Sequence, residues 1–176
     1  MILERITNAD HPMYEKAWEL YRVSFPYHER REEASQERIL KDDTYHFSLV
    51  YDEDSFVGIV LYWEVEEYIY IEHICIRPEM RNHQYGRKTL ELIKEKNKTV
   101  ILEIDPPEDE ISIRRKGFYE RAGFVENPYE YYQLPYHRED KECPLLIMTY
   151  PEVISRELYD DFLDNLKNRF MYRTFE

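Results

Sequence analysis

The spacing of apolar residues predicts helices near both ends of the chain. Between residues 14 and 25, apolar side chains recur every three or four positions, which is typical of an amphipathic helix, and Pro26 ends it. The charged residues 28–41 predict a second, exposed helix. Residues 155–170 carry another apolar stripe and predict the last helix.

Alternating apolar residues between these helices predict a sheet. Ile2–Ile6 forms a short first strand, and three further strands are expected over residues 45–51, 56–65 and 68–76. Because the links between these three strands are too short for a crossover, the strands run antiparallel.

The order of elements then changes. A predicted helix over residues 86–96 separates the strand that ends at Ile76 from a β-branched strand over residues 99–104. A strand, helix and strand with this spacing predict a parallel pair. A helix over residues 111–122 follows.

The last part of the chain is less regular. Residues 127–142 form an irregular tyrosine-rich stretch, and residues 145–150 a last strand. The fold class is therefore α+β with three layers: helices cover both faces of a mixed, mainly antiparallel central sheet of about six to seven strands. No linker is visible, so we expect a single domain over residues 1–176, with residues 151–176 as a C-terminal helical extension.

Composition excludes several classes of protein. The 176 residues carry a net charge of −13, which argues against nucleic acid and anionic membranes as partners. The two cysteines, Cys75 and Cys143, have no zinc-type spacing, so no metal site is expected. No signal peptide and no apolar run of bilayer length are present, so we expect a cytoplasmic protein.

A basic loop at residues 81–88 follows the strand that ends at Ile76. It reads Arg-Asn-His-Gln-Tyr-Gly-Arg-Lys and opens a predicted helix. Free amides and the helix dipole attract anions at such a position, and pyrophosphate is the obvious guest. The alternative is a solvated basic turn on an otherwise acidic surface.

This loop resembles the acyl-CoA loop of the GNAT N-acetyltransferase superfamily, whose pattern is Arg/Gln-x-x-Gly-x-Gly/Ala after a strand. Arg81 and Gly86 match the pattern, and Gln84 stands at its middle glycine. Residues 118–124 look like the Phe-Tyr-Glu-Lys-x-Gly-Phe segment of the same family. The resemblance implies acetyl-CoA as cofactor and a parallel strand pair that splays apart.

The resemblance also implies roles for single residues. Tyr119 would act as general acid and protonate the departing thiolate, which suits a phenol that is protonated at neutral pH. Alternatively, Tyr119 only packs beside Phe118 and Phe124. The residues implied in cofactor binding, some through their main chain, are Ile74, Cys75, Ile76, Arg81, Asn82, His83, Gln84, Tyr85, Gly86, Arg87, Lys88, Ser112 and Tyr119.

A general base is needed because an amine must lose a proton before it attacks a thioester. Glu103 interrupts an apolar strand, and burial would raise the pKa of its carboxyl group, which suits a base. Glu72 is the second candidate and His73 the third. Because these two are neighbours on one strand, we expect them to face opposite sides, so that only one looks into the cleft.

Aromatic residues suit the walls of an amine-binding cleft. The candidate acceptor-binding residues are Phe25, Tyr27, Glu29, Tyr129, Tyr132 and Tyr136. The alternative is that the tyrosines of this set are ordinary surface residues of a strand and a loop.

Together these features predict an N-acetyltransferase that moves an acetyl group from acetyl-CoA to a primary amine of a small molecule or peptide by direct attack. The acidic charge favours a cationic acceptor, and a homodimer is an option because many relatives are dimers. A non-catalytic acyl-CoA-binding or regulatory module stays open, since Gln84 and Ser112 depart from the family pattern.

Overall fold

An eight-stranded mixed sheet forms the middle of the protein, in a computed structural model that describes residues 1–171 and Thr174. The strands are β1 (Ile2–Ile6), β2 (Tyr45–Asp52), β3 (Ser55–Glu64), β4 (Tyr68–Ile76), β5 (Thr99–Ile104), β6 (Val125–Glu126), β7 (Tyr131–Gln133) and β8 (Cys143–Tyr150). The helices are α1 (Tyr14–Ser24), α2 (Glu33–Ile39), α3 (Tyr85–Lys94), α4 (Glu110–Arg121) and α5 (Arg156–Asn165). A π-helical turn, Leu166–Phe170, continues α5.

The order of the strands confirms the predicted fold class. It is β1-β2-β3-β4-β5-β8, and both β6 and β7 pair with β8. Within the described residues β4 and β5 are the one parallel pair, and all other pairs are antiparallel. The crossover through α3 explains this, because two parallel neighbours need a long connection.

Apolar side chains fill a layer on each face of the sheet. On one face, α1 and α5 contribute residues such as Tyr21 and Phe162. On the other face, α3 and α4 contribute Ile93 and Tyr119. Within the part of the chain that the structure describes, no helix is both long enough and apolar enough to span a bilayer.

Two segments differ from the sequence prediction, and tertiary contacts explain both. The second helix is confined to Glu33–Ile39, because the chain is extended at Arg30 and Glu32 and buries Arg31 between them. The tyrosine-rich stretch contains β7, in which Tyr131 is buried against α5.

Two irregularities of β4 position the candidate site. First, Leu61 pairs with His73 while its neighbour Tyr62 pairs with Ile71, so Glu72 is the extra residue of a β-bulge. Second, the pairing between β4 and β5 ends at Ile71 and Leu102. Beyond that point the two parallel strands are no longer bonded to each other.

The approach of β3 to the end of β4 depends on Gly58, which pairs with Ile76. A Cβ atom at this position would lie 2.3 Å from the carbonyl oxygen of Cys75. We therefore expect Gly58→Ala to lower the free energy of unfolding by about 1–3 kcal/mol through overpacking. Denaturant unfolding would measure the loss.

Gly117→Ala is the matched control. Its Cβ would meet only the flexible end of Arg121 inside α4, so this variant should be neutral or gain up to about 1 kcal/mol. Equal denaturation midpoints for Gly58→Ala and wild type would contradict the prediction, because they would show that β3 and β4 can move apart without loss of stability.

Candidate active site

A cleft of about 460 Å³ opens where β4 and β5 stop pairing. Its walls come from the segment after α1, from both strands, from α4 and from the segment before β8. The side chains with chemical potential on these walls include Glu29, Glu72, His73, Glu103, Arg115 and Tyr119. The structure therefore brings together the predicted base candidates and the predicted acid.

The expectation that Glu72 and His73 face opposite sides does not hold, because of the β-bulge. The ring of His73 packs edge-on against Tyr21, at a centroid distance of 4.9 Å. The carboxylate of Glu72 accepts a hydrogen bond from Nε1 of Trp63 at 3.1 Å, in the same apolar layer. Both side chains therefore point to the face that α1 and α5 cover.

Glu72 is held in an ion pair. Its Oε1 accepts hydrogen bonds from Nη2 of Arg31 at 2.8 Å and from the hydroxyl of Tyr136 at 2.9 Å. The side chain is only 1% exposed, although the residue as a whole is half-buried. The exposed part of Glu72 is therefore its main chain, which lies at the cleft.

Glu103 has a different environment. Its two oxygens accept hydrogen bonds from the hydroxyl of Tyr131 and from Nε2 of Gln133, the latter at 3.0 Å. Burial raises the pKa of Glu103 to about 7, and these hydrogen bonds oppose the rise only in part. A carboxyl group with such a pKa can take up and release a proton near neutral pH.

Tyr119 reaches the cleft from α4. It is 8% exposed and packs against Phe118 and Phe124. Burial raises the pKa of Tyr119 to about 12, so the phenol stays protonated at neutral pH. A capping box between Asp109 and Ser112 fixes the start of the helix.

His73 and Ser112 are already engaged in structural contacts. Burial lowers the pKa of His73, and its Nε2 donates to the carbonyl oxygen of Glu29 at 2.8 Å. The hydroxyl of Ser112 donates to Asp109, and Ser112 lines neither this cleft nor the neighbouring cavity.

The predicted anion-binding loop borders a second cavity of about 460 Å³, next to the first. Gln84, at the N-terminus of α3, has a φ of +62°, and Asn82 has a φ of +66°. Such left-handed backbone favours glycine, so Gln84 adopts the conformation that a glycine would take. Gly86 allows a close approach to α4, since a Cβ would lie 3.3 Å from Cζ of Phe118.

The loop presents positive charge to this cavity. The first turn of α3 contains no acidic residue, and Arg81, Arg87 and Lys88 are exposed. Tyr85 donates a hydrogen bond to Asp52 at 3.0 Å, and the Nδ1 atom of His83 lies 2.7 Å from the carbonyl oxygen of Arg81.

The end of β4 links the two cavities. Ile74 lines the first and Ile76 the second. The side chain of Cys75 faces the layer of α1, where its Sγ lies 2.8 Å from Oγ of Ser24. Only the main chain of Cys75 is therefore placed to contact a ligand between β4 and β5.

Phe25 and Glu29 line the cleft as predicted for an acceptor site, but the predicted tyrosines do not. Tyr27 is exposed and stacks on His137, with ring centroids 3.9 Å apart. Tyr136 is buried beneath the cleft, where it bonds to Glu72. The tyrosines serve mainly to join loops to the core.

Two tyrosines lie away from the cleft altogether. Tyr129 stacks on Tyr159 of α5, with centroids 4.2 Å apart, and donates to the carbonyl oxygen of Ile154. Tyr132 is exposed and bonds to Glu130. For Tyr132, alternation along β7 explains the exposure, because it turns Tyr131 inward and its neighbour Tyr132 outward.

Sequence reasoning missed four residues of the site. Arg31 and Tyr131 bind the two carboxylates, and Gln133 shares Glu103 with Tyr131. Arg115 lines the cleft and pairs with Asp105 at 2.6 Å. For Arg115, its position one helical turn before Tyr119 was an available signal.

Comparisons of sequence and structure identify known proteins that resemble this chain. The protein YjbC of Bacillus subtilis, provisionally assigned as an acetyltransferase, is 29% identical over 104 residues. The match covers 57% of this chain and about half, 52%, of YjbC. A structure from Bacteroides thetaiotaomicron, provisionally assigned as a GNAT acetyltransferase, is 30% identical, covers 97% of this chain and 98% of its own, and has a TM-score of 0.90.

A more distant structure shares the fold alone. An aminoglycoside 6'-N-acetyltransferase in complex with coenzyme A is 14% identical, with a TM-score of 0.60 over 89% of this chain and 99% of its own. The model of the acetyltransferase (GNAT) family matches residues 11–124. This match covers both motifs and the whole β4–α3–β5–α4 unit, so the chain belongs to the GNAT acetyltransferase family.

Proposed function

We propose that this protein is an N-acetyltransferase that moves an acetyl group from acetyl-CoA to a primary amine of a small molecule or peptide. One observation carries the proposal. The cleft between the ends of β4 and β5 places a carboxyl group with a pKa of about 7 and a protonated phenol on its walls. These are the groups that acyl transfer to an ammonium substrate requires.

The residues of the second cavity fit coenzyme A. The amides of the first turn of α3 lack partners within the helix, as in any α-helix, and basic side chains surround them. The main chain of Ile74 and Ile76 is not paired with β5 and would bond the pantetheine arm. Acetyl-CoA supplies the thioester when it is bound at this place.

Glu103 acts as general base in this proposal. Its carboxylate would take a proton from the ammonium of the acceptor and later release it to solvent. The neutral amine would form a C–N bond to the thioester carbonyl carbon, and its nitrogen would then lose a second proton to solvent. Tyr119 would donate its proton to the sulfur as the C–S bond breaks, and solvent would restore that proton. Main-chain amides of the β4 bulge stabilise the negative charge that develops on the carbonyl oxygen.

Glu72 is the poorer candidate for the base. Its side chain is buried and already accepts bonds from Arg31, Trp63 and Tyr136. Both carboxylate oxygens are thus already engaged beneath the sheet, away from an acceptor bound in the cleft.

The charges on the cleft walls favour a positively charged acceptor. Apart from the ion pair of Asp105 with Arg115, the carboxylates of Glu29 and Asp140 and the ammonium group of Lys141 border the cleft, which is two acidic groups against one basic group. An acceptor with a second ammonium group, or a peptide N-terminus beside basic residues, fits this balance.

The function is tested with acetyl-CoA and a panel of amines, by following thiol release. We expect turnover by wild type and a loss of about 10²-fold or more in kcat for Tyr119→Phe, because the departing thiolate loses its proton donor. The affinity for coenzyme A, measured by calorimetry, should stay the same.

Tyr51→Phe is the control, because Tyr51 lies on β2 away from both cavities. Full activity of Tyr119→Phe would remove the acid role. Binding of coenzyme A without thiol release from any amine would favour a non-catalytic acyl-CoA-binding module.

The pH dependence of the rate tests Glu103. For wild type, kcat/KM should rise as the pH increases through about 7, since the base acts only when it is deprotonated. Glu103→Gln should lose this inflection and about 10²-fold in rate. An unchanged pH profile in this variant would assign the base to another group.

The stability of the free protein tests the same carboxyl group without any acceptor. The folded pKa of Glu103 is raised from 4.5 to about 7, so the native state holds the proton more tightly than the unfolded state. The contribution of Glu103 to the free energy of unfolding should therefore fall as the pH rises through this window.

Glu103→Gln should remove this loss. Relative to wild type it should gain on the order of 2 kcal/mol between pH 4 and pH 8, measured by urea unfolding. Glu120→Gln is the control, because that side chain is half exposed. A constant difference between Glu103→Gln and wild type at both pH values would contradict the raised pKa.

A further inference from the structure

Arg31 is the one arginine, lysine, aspartate or glutamate that is fully buried among the described residues. It lies between the turn at Tyr27–Glu29 and α2, and its side chain is 0% exposed. Its Nη2 donates to Oε1 of Glu72 at 2.8 Å and to the carbonyl oxygen of Phe170 at 2.6 Å.

Stability alone is a weak explanation for this residue. Removing a guanidinium and a carboxylate from water costs several kcal/mol per ion, which their attraction seldom exceeds. The Nε and Nη1 atoms of Arg31 are also buried without a hydrogen-bond partner in the described part of the chain. An apolar pair of similar volume would suit the core at least as well.

What distinguishes the pair is the place of its acidic partner. Glu72 is the extra residue of the β4 bulge, at the level where β4 and β5 stop pairing. A bulge is costly to the strand ladder and persists where something holds it. Three donors, from Arg31, Trp63 and Tyr136, hold the Glu72 side chain inside the apolar layer.

A second tie joins the same two segments. Nε2 of His73 donates to the carbonyl oxygen of Glu29, two residues before Arg31. The side chains of Glu72 and His73 are thus both bonded to the segment between α1 and α2. This segment also lines the cleft, through Phe25 and Glu29. With both side chains drawn to one face, the main chain at Glu72 is left exposed at the cleft.

We propose that Arg31 is a positioning residue for acetyl transfer, which holds the bulge so that the β4 main chain faces the thioester carbonyl. This rests on the proposed function. Without the tie, the main chain at Glu72 and His73 can shift, while the pairing of Ile74 and Ile76 with β3 keeps the end of β4 in place. The amides that stabilise the developing oxyanion would then point elsewhere.

The test is a double variant, Arg31→Met with Glu72→Gln, which removes the ion pair without leaving a buried charge. The glutamine oxygen can still accept from Nε1 of Trp63, and its NH2 group can donate to the hydroxyl oxygen of Tyr136. We expect kcat to fall about 10- to 100-fold, while KM for acetyl-CoA stays within about 3-fold, because the loop at residues 81–88 is untouched. Arg31→Lys keeps the charge with a shorter reach, and should lose only about 3- to 10-fold in kcat.

Hydrogen exchange of the peptide over residues 70–75 is measured on the same variants without any substrate. We expect faster exchange there, with the β2–β3 peptides as internal reference for global stability. Wild-type kcat, or unchanged exchange at the bulge, in the folded double variant would overturn the proposal. If the double variant does not fold, wild-type kcat and exchange in Arg31→Lys would overturn it.

Failure of the proposed function is a separate outcome. If wild type transfers no acetyl group to any amine, the acetyltransferase assignment fails. The exchange comparison then decides whether Arg31 sets the bulge: unchanged exchange rejects this role, and local loss of protection supports it.

Discussion

The point at which β4 stops pairing with β5 governs the rest of this protein. Main-chain amides and carbonyls inside a protein need hydrogen-bond partners, and a central strand that leaves its neighbour gives them up. Here the parallel ladder ends at Ile71 and Leu102, and four of the next five residues of β4 border two adjoining cavities. A bound ligand that offers amide groups along its length can replace the missing strand.

The bulge at Glu72 belongs to the same constraint. In a regular strand, alternation would send Glu72 and His73 to opposite faces. The extra residue instead places both side chains beneath the sheet and exposes main chain at the cleft. The two acidic residues nearest the point where β4 and β5 separate therefore have different hydrogen-bond partners. Glu72 accepts from a guanidinium, and Glu103 accepts from neutral donors.

Local sequence patterns were sufficient for the order of the elements other than the short strands β6 and β7, for the parallel pair and for the loop before α3. They were sufficient because strand, turn and helix signals act over a few residues, and Gln84 takes the left-handed backbone expected of a glycine. Contacts between distant segments were not predictable in this way. Arg31 lies 41 residues from Glu72 within a charged run, and nothing in that run marks it as buried. The inward and outward tyrosines of β7 likewise depend on which face α5 covers.

Burial raises the pKa of both proposed catalytic groups, yet it suits one of them to act as a base and the other as an acid. It raises the pKa of Glu103 to about 7, so that this carboxylate becomes basic enough to accept a proton from an ammonium group. It raises the pKa of Tyr119 to about 12, so that this phenol still holds its proton when a thiolate leaves. One sparsely solvated cleft can therefore supply both a base and an acid, provided that the carboxylate is not paired with a cation. Glu103 meets that condition, because its hydrogen-bond partners Tyr131 and Gln133 are neutral, while the buried guanidinium of Arg31 is paired with Glu72.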